Sequence, residues 1–368
     1  MKLVYLSNAV IPSRKAHSIH VMKMCHSLTK AGASVQLMTA RREEKNLYVK
    51  NPFEFYSVYP DFKIHKVHWF QSLPGKYYLF GLMSALKSIS LKPDLIYGRY
   101  LFGVFFAALL GKSVIFESHS DEYNRGVIHR WMIRFLSRSK RCKKIVVISN
   151  ALKEAYHKEF SQIRDKIIVA HDGADRMMPL KKNTSTKNDF TVGYVGSLYP
   201  GKGMEIVSEL VKKCPDIQFT VAGGSDKEVQ TWKSELSGSS NINFHGFIPH
   251  SDVHETLKQF DILVAPYQRK VDVGMDISRW MSPLKIFEYM SAQKPIISSD
   301  LPVLQEVLSH RENAILCSPD DIENWANAIY ELRDNPELRN EISAKAYREF
   351  EAKYTWDRRA KTILESLQ

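Results

Sequence analysis

At 368 residues the chain is longer than one ordinary hydrophobic core supports, so its length favours two domains. Its 44% hydrophobic and 25% charged residues exclude a disordered or fibrous protein. The net charge of +12 is uneven, because residues 1–180 hold 29 Lys plus Arg against 13 Asp plus Glu, and residues 181–368 hold 23 against 27. The basic first half predicts an anionic partner, such as a membrane surface, a nucleic acid or a phosphorylated substrate.

The N-terminal segment MKLVYLSNAVIPSRK has a short apolar run that soon meets Pro12 and Arg14, so we expect a first strand and not a signal peptide. The longest apolar run, LFGVFFAALLG from Leu101, is shorter than the roughly 18 residues that a membrane-spanning helix requires. The cysteines stand singly, with no CxxC pair and no histidine at metal-ligand spacing. This pattern predicts a reducing, cytoplasmic compartment and no zinc site.

Strand-like and helix-like segments alternate along the first half. In chain order they are KLVYLS, a helix over about Ser18 to Ala31, SVQLMTA, DLIYGR, a helix over about Leu101 to Leu110, SVIFES, KIVVIS and KIIVAHDG. Such alternation predicts an α/β fold with a parallel, doubly wound sheet.

The polar segment MPLKKNTSTKND, between about Met178 and Asp189, predicts a linker. After it the alternation restarts and predicts a second sheet of the same class. Its segments are FTVGYVGS, a helix from about Met204, IQFTVAGG, a helix from Glu228, INFHGF, a helix from Ser251, DILVAP, the helix in SPLKIFEYMSAQ, KPIISS, NAILCS and a long helical tail from Asp321.

The segment VGYVGSLYPGKG, residues 192–203, follows the first strand of this second domain and precedes a helix. Its glycines permit tight turns, the helix N-terminus attracts anions, and Lys202 adds a positive charge. The spacing matches neither the Walker pattern nor GxGxxG, so a phosphate site and an ordinary glycine-rich turn both remain open. Glu288, between Phe287 and Tyr289 in SPLKIFEYMSAQ, is likewise either a structural acid or a ligand-binding one.

The segment RGVIHRWMIRFLSRSKRCKK, residues 125–144, holds eight Lys plus Arg and no acid. A basic amphipathic helix of this kind lies on an anionic membrane or, alternatively, packs its apolar stripe on the core and leaves a solvated basic face. The apolar positions are Ile128, Trp131, Met132, Phe135 and Leu136, and the neighbouring basic stripe is Arg130, Arg134, Arg138 and Arg141.

The order of several motifs resembles family four of the glycosyltransferases. VGYVGSLYPGKGMEIV, FTVAGG, FHGFIPHSDV, DILVAP, SPLKIFEYMSAQKPIISSDLPVLQEVL and YTWDRRA resemble the C-terminal domain, and SIHVMKMCHSLTKAGASVQLMTA, FESHS, VVISNALKE and IIVAHDGAD the N-terminal one. The resemblance implies the GT-B fold, two Rossmann-like domains facing across a cleft. The implied domains are residues 1–178 with the C-terminal helix 355–368, which bind the acceptor, and residues 190–354, which bind a nucleotide sugar.

The resemblance implies that Glu288 accepts hydrogen bonds from the donor ribose and that the charge of Lys202 stabilises the departing nucleoside diphosphate. Backbone amides at the start of the Glu288 helix would face the same diphosphate, although Pro283 has no amide hydrogen. The implied donor-binding residues are Gly196, Ser197, Lys202, Ile248, Ser282, Pro283, Leu284, Lys285 and Glu288, and the implied catalytic residues are His119, Lys202 and Glu288.

The second domain departs from the family pattern at two places. Ser197 stands where members often carry an arginine, so Lys285 or Arg279 would supply the missing diphosphate cation. Trp280 stands eight positions before Glu288, where many members carry a second acid. Asp272 and Asp276, in the preceding loop, are speculative substitutes for that acid.

In the first domain, His119 follows a strand at the edge where open α/β sheets bind ligands, and the resemblance implies that it contacts the sugar. Arg99 has a similar position. The family's glycine pair is replaced by RKAHSIH, in which Ala16 and Ser18 are small enough for close approach, and Ser18 could cap the next helix. We assign Ala16, Ser18 and Arg99 to the acceptor or sugar side.

The sequence is therefore interpreted as a retaining glycosyltransferase that is cytoplasmic and peripheral to the inner membrane face. We expect it to move a sugar from a nucleotide sugar, with UDP as the default nucleotide, to a lipid-linked or glycan acceptor. The expected role is the synthesis of cell-envelope polysaccharide or lipopolysaccharide. We expect no metal and no other cofactor. The alternatives are a GT-B nucleotide-sugar epimerase, a soluble small-molecule glycosyltransferase, and a non-catalytic scaffold that binds anionic lipid or nucleic acid. Nucleic acid has little support, since RNP aromatics, zinc fingers and an obvious helix-turn-helix are missing from the sequence.

Overall fold

The computed structural model describes residues 1–45, 47–163, 165–177, 190–269 and 279–368. The chain divides into two compact units, one formed by Met1–Asp172 with Trp356–Gln368 and the other by Gly173–Thr355. The linker predicted at residues 178–189 lies outside the described residues.

A parallel sheet of seven strands forms the centre of the first unit, in the order β3-β2-β1-β4-β5-β6-β7. Short β-branched and apolar runs such as the Ile145–Val147 segment are buried on both faces, as a sheet covered by helices requires. The strands are β1 Lys2–Val10, β2 Ser34–Ala40, β3 Lys63–Val67, β4 Leu95–Gly98, β5 Val114–Ser118, β6 Cys142–Val147 and β7 Ile167–Val169.

Seven α-helices belong to the described part of this unit: α1 Ala16–Lys30, α2 Pro52–Phe55, α3 Lys76–Ser90, α4 Leu101–Leu109, α5 Val127–Arg138, α6 Asn150–Glu159 and the C-terminal α13 Trp356–Glu365. Helix α13 packs on α1, where the carboxylate of Asp357 accepts from Ser27 Oγ at 2.9 Å and lies 2.5 Å from Lys30 Nζ. The C-terminal segment thus joins the N-terminal sheet.

The second unit repeats the design with a six-stranded parallel sheet in the order β10-β9-β8-β11-β12-β13. Its strands are β8 Thr191–Val195, β9 Gln218–Ala222, β10 Ile242–Gly246, β11 Ile262–Ala265, β12 Ile296–Ser299 and β13 Ile315–Cys317, and its helices are α7 Met204–Lys213, α8 Asp226–Glu235, α9 Val253–Lys258, α10 Leu284–Ser291, α11 Ile322–Asp334 and α12 Pro336–Lys353.

In each unit the strand order reverses beside the first strand, between β1 and β4 and between β8 and β11. Ligands of open α/β sheets bind outside the carboxyl ends of the strands at such a point. Arg99 follows β4, and the loop that contains Gly196 and Lys202 follows β8. The topology therefore directs attention to the predicted site residues that follow these strands.

Two sequence-based expectations are wrong, and some elements were not predicted. Strand β3 and helix α3 were not predicted, because β3 is an edge strand of sequence KIHKV in which only Val67 is buried. Ser18 does not cap α1, since the helix begins at Ala16 and the Ser18 hydroxyl donates to Val10 O at 2.9 Å. Arg141 lies beyond the end of α5 at Arg138 and so is not part of its basic stripe. Within the described ranges, no helix is both long and apolar enough to cross a bilayer.

Candidate functional site

Tyr194, the penultimate residue of β8, shapes the glycine-rich loop that follows this strand. Its buried hydroxyl lies 2.6 Å from Ser197 O and 3.0 Å from Lys202 O, which ties the two ends of the turn together. Gly203, at the end of the turn, has φ +108°, and a Cβ there would lie 2.2 Å from Pro266 O. The close approach of this loop to the end of β11 therefore requires glycine.

Two lysines meet above the carboxyl ends of β8 and β11. Lys202 Nζ lies 5.5 Å from the ring centroid of Tyr267, and Lys285 Nζ lies 4.8 Å from the same centroid. Lys285 also lies 4.1 Å from the ring centroid of Tyr194, and a Cβ on Gly196 would be only 2.9 Å from its Nζ. The geometry thus brings together three residues predicted for the donor site: Gly196, Lys202 and Lys285.

The pKa values of Lys202 and Lys285 both lie below those of ordinary, solvent-exposed lysines. Burial lowers the pKa of Lys202 to about 8. Burial, together with the positive charge of Lys202, holds the pKa of Lys285 well below its ordinary value, although Glu288 opposes the shift. The buried amine of Lys285 and the half-buried amine of Lys202 lie near the N-terminus of a helix and are arranged to receive a multiply charged anion.

Glu288 lies in α10, one turn after Lys285, and remains partly accessible. His250 Nδ1, from the loop after β10, is 3.8 Å from its carboxylate. Ile248 of the same loop is half-buried. At the start of α10, Ser282 is buried, Pro283 is the N-cap residue without a side-chain cap, and Leu284 is the first helical residue. Ser197 is exposed, and Asp272 and Asp276 lie outside the described residues.

In the first unit, His119 belongs to a buried ionic cluster. Its Nε2 lies 2.5 Å from Glu117 Oε1, and His20 Nε2 lies 2.9 Å from the same oxygen. His20 Nδ1 is 2.9 Å from Asp172 Oδ1. Arg359, from α13, donates to Glu117 from Nη2 at 2.9 Å and to His171 O from Nε at 2.9 Å.

The charges in this cluster determine the state of His119. Burial alone would raise the pKa of Glu117, but Arg359 and His20 more than offset this and hold it well below its usual range. Burial and the nearby Arg99 lower the pKa of His119 to about 4. His119 is therefore neutral at pH 7. Its Nε2–H donates to the Glu117 carboxylate, which leaves Nδ1 as an acceptor.

A metal ion deserves consideration, because ligand atoms of His20, Glu117, His119 and Asp172 all lie within 4.8 Å of one another. The guanidinium of Arg359 already contacts Glu117 and has its Nε 3.8 Å from Asp172 Oδ1. A divalent cation would have to share these carboxylates with the buried guanidinium of Arg359. At this separation the two positive charges would repel each other strongly. We therefore interpret the cluster as an ionic network.

The other first-domain residues occupy the same edge of the sheet. Arg99 follows β4, and its Nη1 is buried without a hydrogen-bond partner among the described residues. Its charge contributes, after burial, to a lowered pKa of His17. Ala16 is exposed at the first position of α1, whereas Ser18 is buried and hydrogen-bonded.

Helix α5 exposes part of its predicted apolar face. Met132 and Leu136 are buried, but Ile128 is 48% exposed and Trp131 is 56% exposed. Arg130 pairs with Glu159 at 2.8 Å, and Arg138 Nε donates to Gln162 Oε1 at 3.3 Å. The core thus covers Met132 and Leu136, while Ile128 and Trp131 remain at the surface.

Sequence reasoning missed several residues that position the predicted ones. Tyr267 gave no signal, because a buried tyrosine after a strand is common. The members of the first-unit cluster come from four separated segments and have no shared spacing. They are His20, Glu117, Asp172 and Arg359.

Comparison with known proteins identifies relatives of both units. Residues 17–176 match the family model described as Glycosyltransferase Family 4, and residues 179–349 match the one described as Glycosyl transferases group 1. An uncharacterized glycosyltransferase of Haemophilus influenzae is 25% identical over 243 residues, which are 64% of this chain and 64% of that protein.

The O-antigen chain mannosyltransferase RfbU of Salmonella typhimurium is 24% identical over 243 residues, 65% of this chain and 63% of that protein. Each of these two matches spans a little less than two thirds of the relative's length. The crystal structure of Anabaena HepE in complex with UDP aligns with a TM-score of 0.74 and 16% identity, over 100% of this chain and 99% of that one. These likenesses confirm the predicted fold, GT-B with two Rossmann-like domains.

Proposed function

We propose that this chain, which belongs to glycosyltransferase family four, is a retaining enzyme that transfers a hexose from a nucleotide sugar to a lipid-linked or glycan acceptor of the cell envelope. The observation that carries the donor assignment is a pair of lysines beside the ring of Tyr267: half-buried Lys202 in the turn after β8, and buried Lys285 at the N-terminus of α10. A UDP-sugar is the proposed donor, supported by the UDP bound in HepE. The cell-envelope role is supported by the likeness to an O-antigen mannosyltransferase.

In this proposal the protein itself stabilises the leaving group. As the glycosidic bond breaks, negative charge develops on the diphosphate, and the two lysines lie where they would balance it without a metal ion. Glu288 would orient the nucleotide through the ribose hydroxyls, and His250 at 3.8 Å would orient the carboxylate. The other donor contacts proposed are Gly196, Ser197, Ile248, Ser282, Pro283 and Leu284.

His119 is proposed to contact the transferred sugar. Because its Nε2–H donates to Glu117, the remaining acceptor Nδ1 is suited to a sugar hydroxyl. Arg99, whose buried Nη1 has no hydrogen-bond partner among the described residues, is proposed to bind the acceptor or the sugar. Ala16 and Ser18 are proposed to lie on the same acceptor or sugar side. Retention of configuration remains a proposal that rests on family membership.

The first unit is proposed to bind an anionic membrane through α5. The exposed Ile128 and Trp131 would enter the interface, and Arg134 and Arg138 would contact acidic headgroups. Membrane binding would bring the enzyme to a lipid-linked acceptor and explain the concentration of positive charge in the first half of the sequence.

Calorimetry with UDP and GDP in the presence of EDTA tests the donor site. We expect one nucleotide to bind without added metal and Glu288→Ala to weaken it by about tenfold to a hundredfold, since a charge-assisted hydrogen bond contributes roughly 1.5–3 kcal/mol. Glu255→Ala, which removes an exposed carboxylate of the same unit, is the matched control. Equal binding by wild type and Glu288→Ala would remove Glu288 from the site.

A further inference from the structure

Lys285 is a buried amine whose polar atom is not satisfied by the protein. The residue is 9% exposed, and its Nζ has no hydrogen-bond partner among the residues that the structure describes. Tyrosine rings of Tyr194 and Tyr267 are its near neighbours, at 4.1 Å and 4.8 Å from the ring centroids. Within the described part of the chain, nothing hydrogen-bonds to this amine to compensate the burial of its charged form, and Glu288 acts on it only through its charge.

Among the residues that the structure describes, four titratable groups face Lys285. Tyr194 belongs to β8, Tyr267 follows β11, Lys202 lies in the turn before α7, and Glu288 lies in α10 with Lys285. The pKa values of both tyrosines are raised well above their usual range, chiefly by burial, so neither ring supplies a negative charge. Glu288 has His250 Nδ1 3.8 Å from its carboxylate.

Protonation of Lys285 is therefore unfavourable for two reasons: the ammonium would be buried away from water, and it would be repelled by the charge of Lys202. A nucleoside diphosphate bound at the N-terminus of α10 would reverse this balance, because it introduces more than one negative charge beside both amines. Gly196 keeps the space open, since a Cβ at that position would lie 2.9 Å from Lys285 Nζ.

We propose that Lys285 is an uncharged amine in the free protein and takes up a proton from solvent when the nucleoside diphosphate binds, so that donor binding is coupled to protonation. The lone pair of Nζ accepts the proton, and the resulting ammonium donates to diphosphate oxygens. This inference rests on the proposed function, because it concerns the same donor site.

The coupling makes the affinity for the nucleotide depend on pH. As pH rises, the protonated form of Lys285 becomes harder to populate, so nucleotide affinity falls even though the diphosphate stays ionised. Lys202, whose pKa burial lowers to about 8, adds a second contribution above that pH. An arginine in place of either lysine stays protonated and removes the contribution of that position.

The experiment is calorimetry with UDP, GDP, ADP and dTDP at pH 8, where their terminal phosphates are ionised, in two buffers of different ionisation enthalpy. The change in apparent enthalpy between buffers counts the protons taken up. We expect uptake by wild type of about one proton or more per nucleotide. Lys285→Arg should bind with clearly less uptake, and the matched Lys202→Arg should retain the Lys285 contribution.

Lys285→Met serves as a second variant in case arginine does not fit the pocket. It should fold with the thermal stability of wild type or better, bind nucleotide at least about tenfold more weakly, and show a flatter pH dependence of affinity. Nucleotide binding by wild type without proton uptake, or equal uptake by wild type and Lys285→Arg, would overturn the inference and leave the donor site standing. Failure of all four nucleotides to bind would instead overturn the proposed function.

Discussion

Arg359 in the C-terminal helix donates from Nη2 to Glu117 Oε1 at 2.9 Å, and both side chains are almost completely buried. The pair joins α13 to the carboxyl end of β5, and the same carboxylate accepts from Tyr97 and contacts His119. The last helix therefore contributes directly to the environment of a proposed sugar-binding residue.

Removing one partner of this buried pair should destabilise the protein strongly. Arg359→Met leaves the Glu117 charge buried without its cation, and we expect the free energy of unfolding of the first unit to fall by about 3–5 kcal/mol. Urea denaturation followed by circular dichroism measures it. Arg311→Met is the matched control, since the Arg311–Glu331 pair is largely exposed and should change stability by less than about 1 kcal/mol. If the two variants lost similar amounts of unfolding free energy, the buried Arg359–Glu117 pair would not be a major source of stability.

The neutral His119 should make the first unit sensitive to acid. Burial, with Arg99, lowers its pKa from 6.5 to about 4. As pH falls below about 6.5, the unfolded chain binds a proton that the folded chain does not, so stability present above that pH is lost between about 6.5 and about 4.

We expect His119→Gln to reduce this loss by up to about 1.4 kcal/mol per pH unit, as measured by denaturation at several pH values. His68→Gln, at an exposed position of the same unit, is the control and should follow wild type. An unchanged pH profile for His119→Gln would contradict the assignment of a neutral, partly buried imidazole.

The turn after β8 should not tolerate a side chain at Gly203. Alanine there combines a φ of +108° with a Cβ 2.2 Å from Pro266 O. We expect Gly203→Ala to cost at least about 2 kcal/mol in unfolding free energy and to weaken nucleotide binding. Gly238→Ala should change neither, because nothing lies within 4 Å of its Cβ position. Wild-type stability in Gly203→Ala would refute the requirement for this close approach.

Membrane association is tested by co-sedimentation with anionic vesicles. Because attraction to a charged surface decays over roughly 8 Å at physiological salt, binding should weaken steeply as salt rises. The triple change of Arg130, Arg134 and Arg138 to serine should lower sedimentation without altering donor hydrolysis. A variant with the same charge loss in the second unit, at Lys227, Lys233 and Arg348, should sediment like wild type. Equal sedimentation of the two triple variants, or no binding by wild type, would contradict docking through α5.

The fold was predictable from the sequence because its buried strands are continuous apolar runs that alternate with amphipathic helices. Strand β3 escaped because KIHKV at a sheet edge looks like a polar loop. In the second unit, Lys202 and Lys285 were predicted for the donor site from motif order, and the structure places both against the ring of Tyr267.

The network around Glu117 was not predictable. Arg359 is separated from Glu117 by 242 residues, and the second of the two arginines in YTWDRRA has the appearance of a surface residue. Only the return of the last helix to the first sheet reveals that it is buried. Long-range pairs of this kind have no local periodicity that a sequence could show.

The most direct test of the proposed activity is to incubate the purified protein with UDP-sugars and GDP-sugars of α configuration in EDTA and to follow slow donor hydrolysis by NMR. The proposal predicts that at least one donor releases its sugar first as the α anomer, before mutarotation, and that Lys202→Met abolishes the release. Release of the β anomer would contradict retention. Turnover that disappears in EDTA and returns with Mn²⁺ would contradict leaving-group stabilisation by the two lysines.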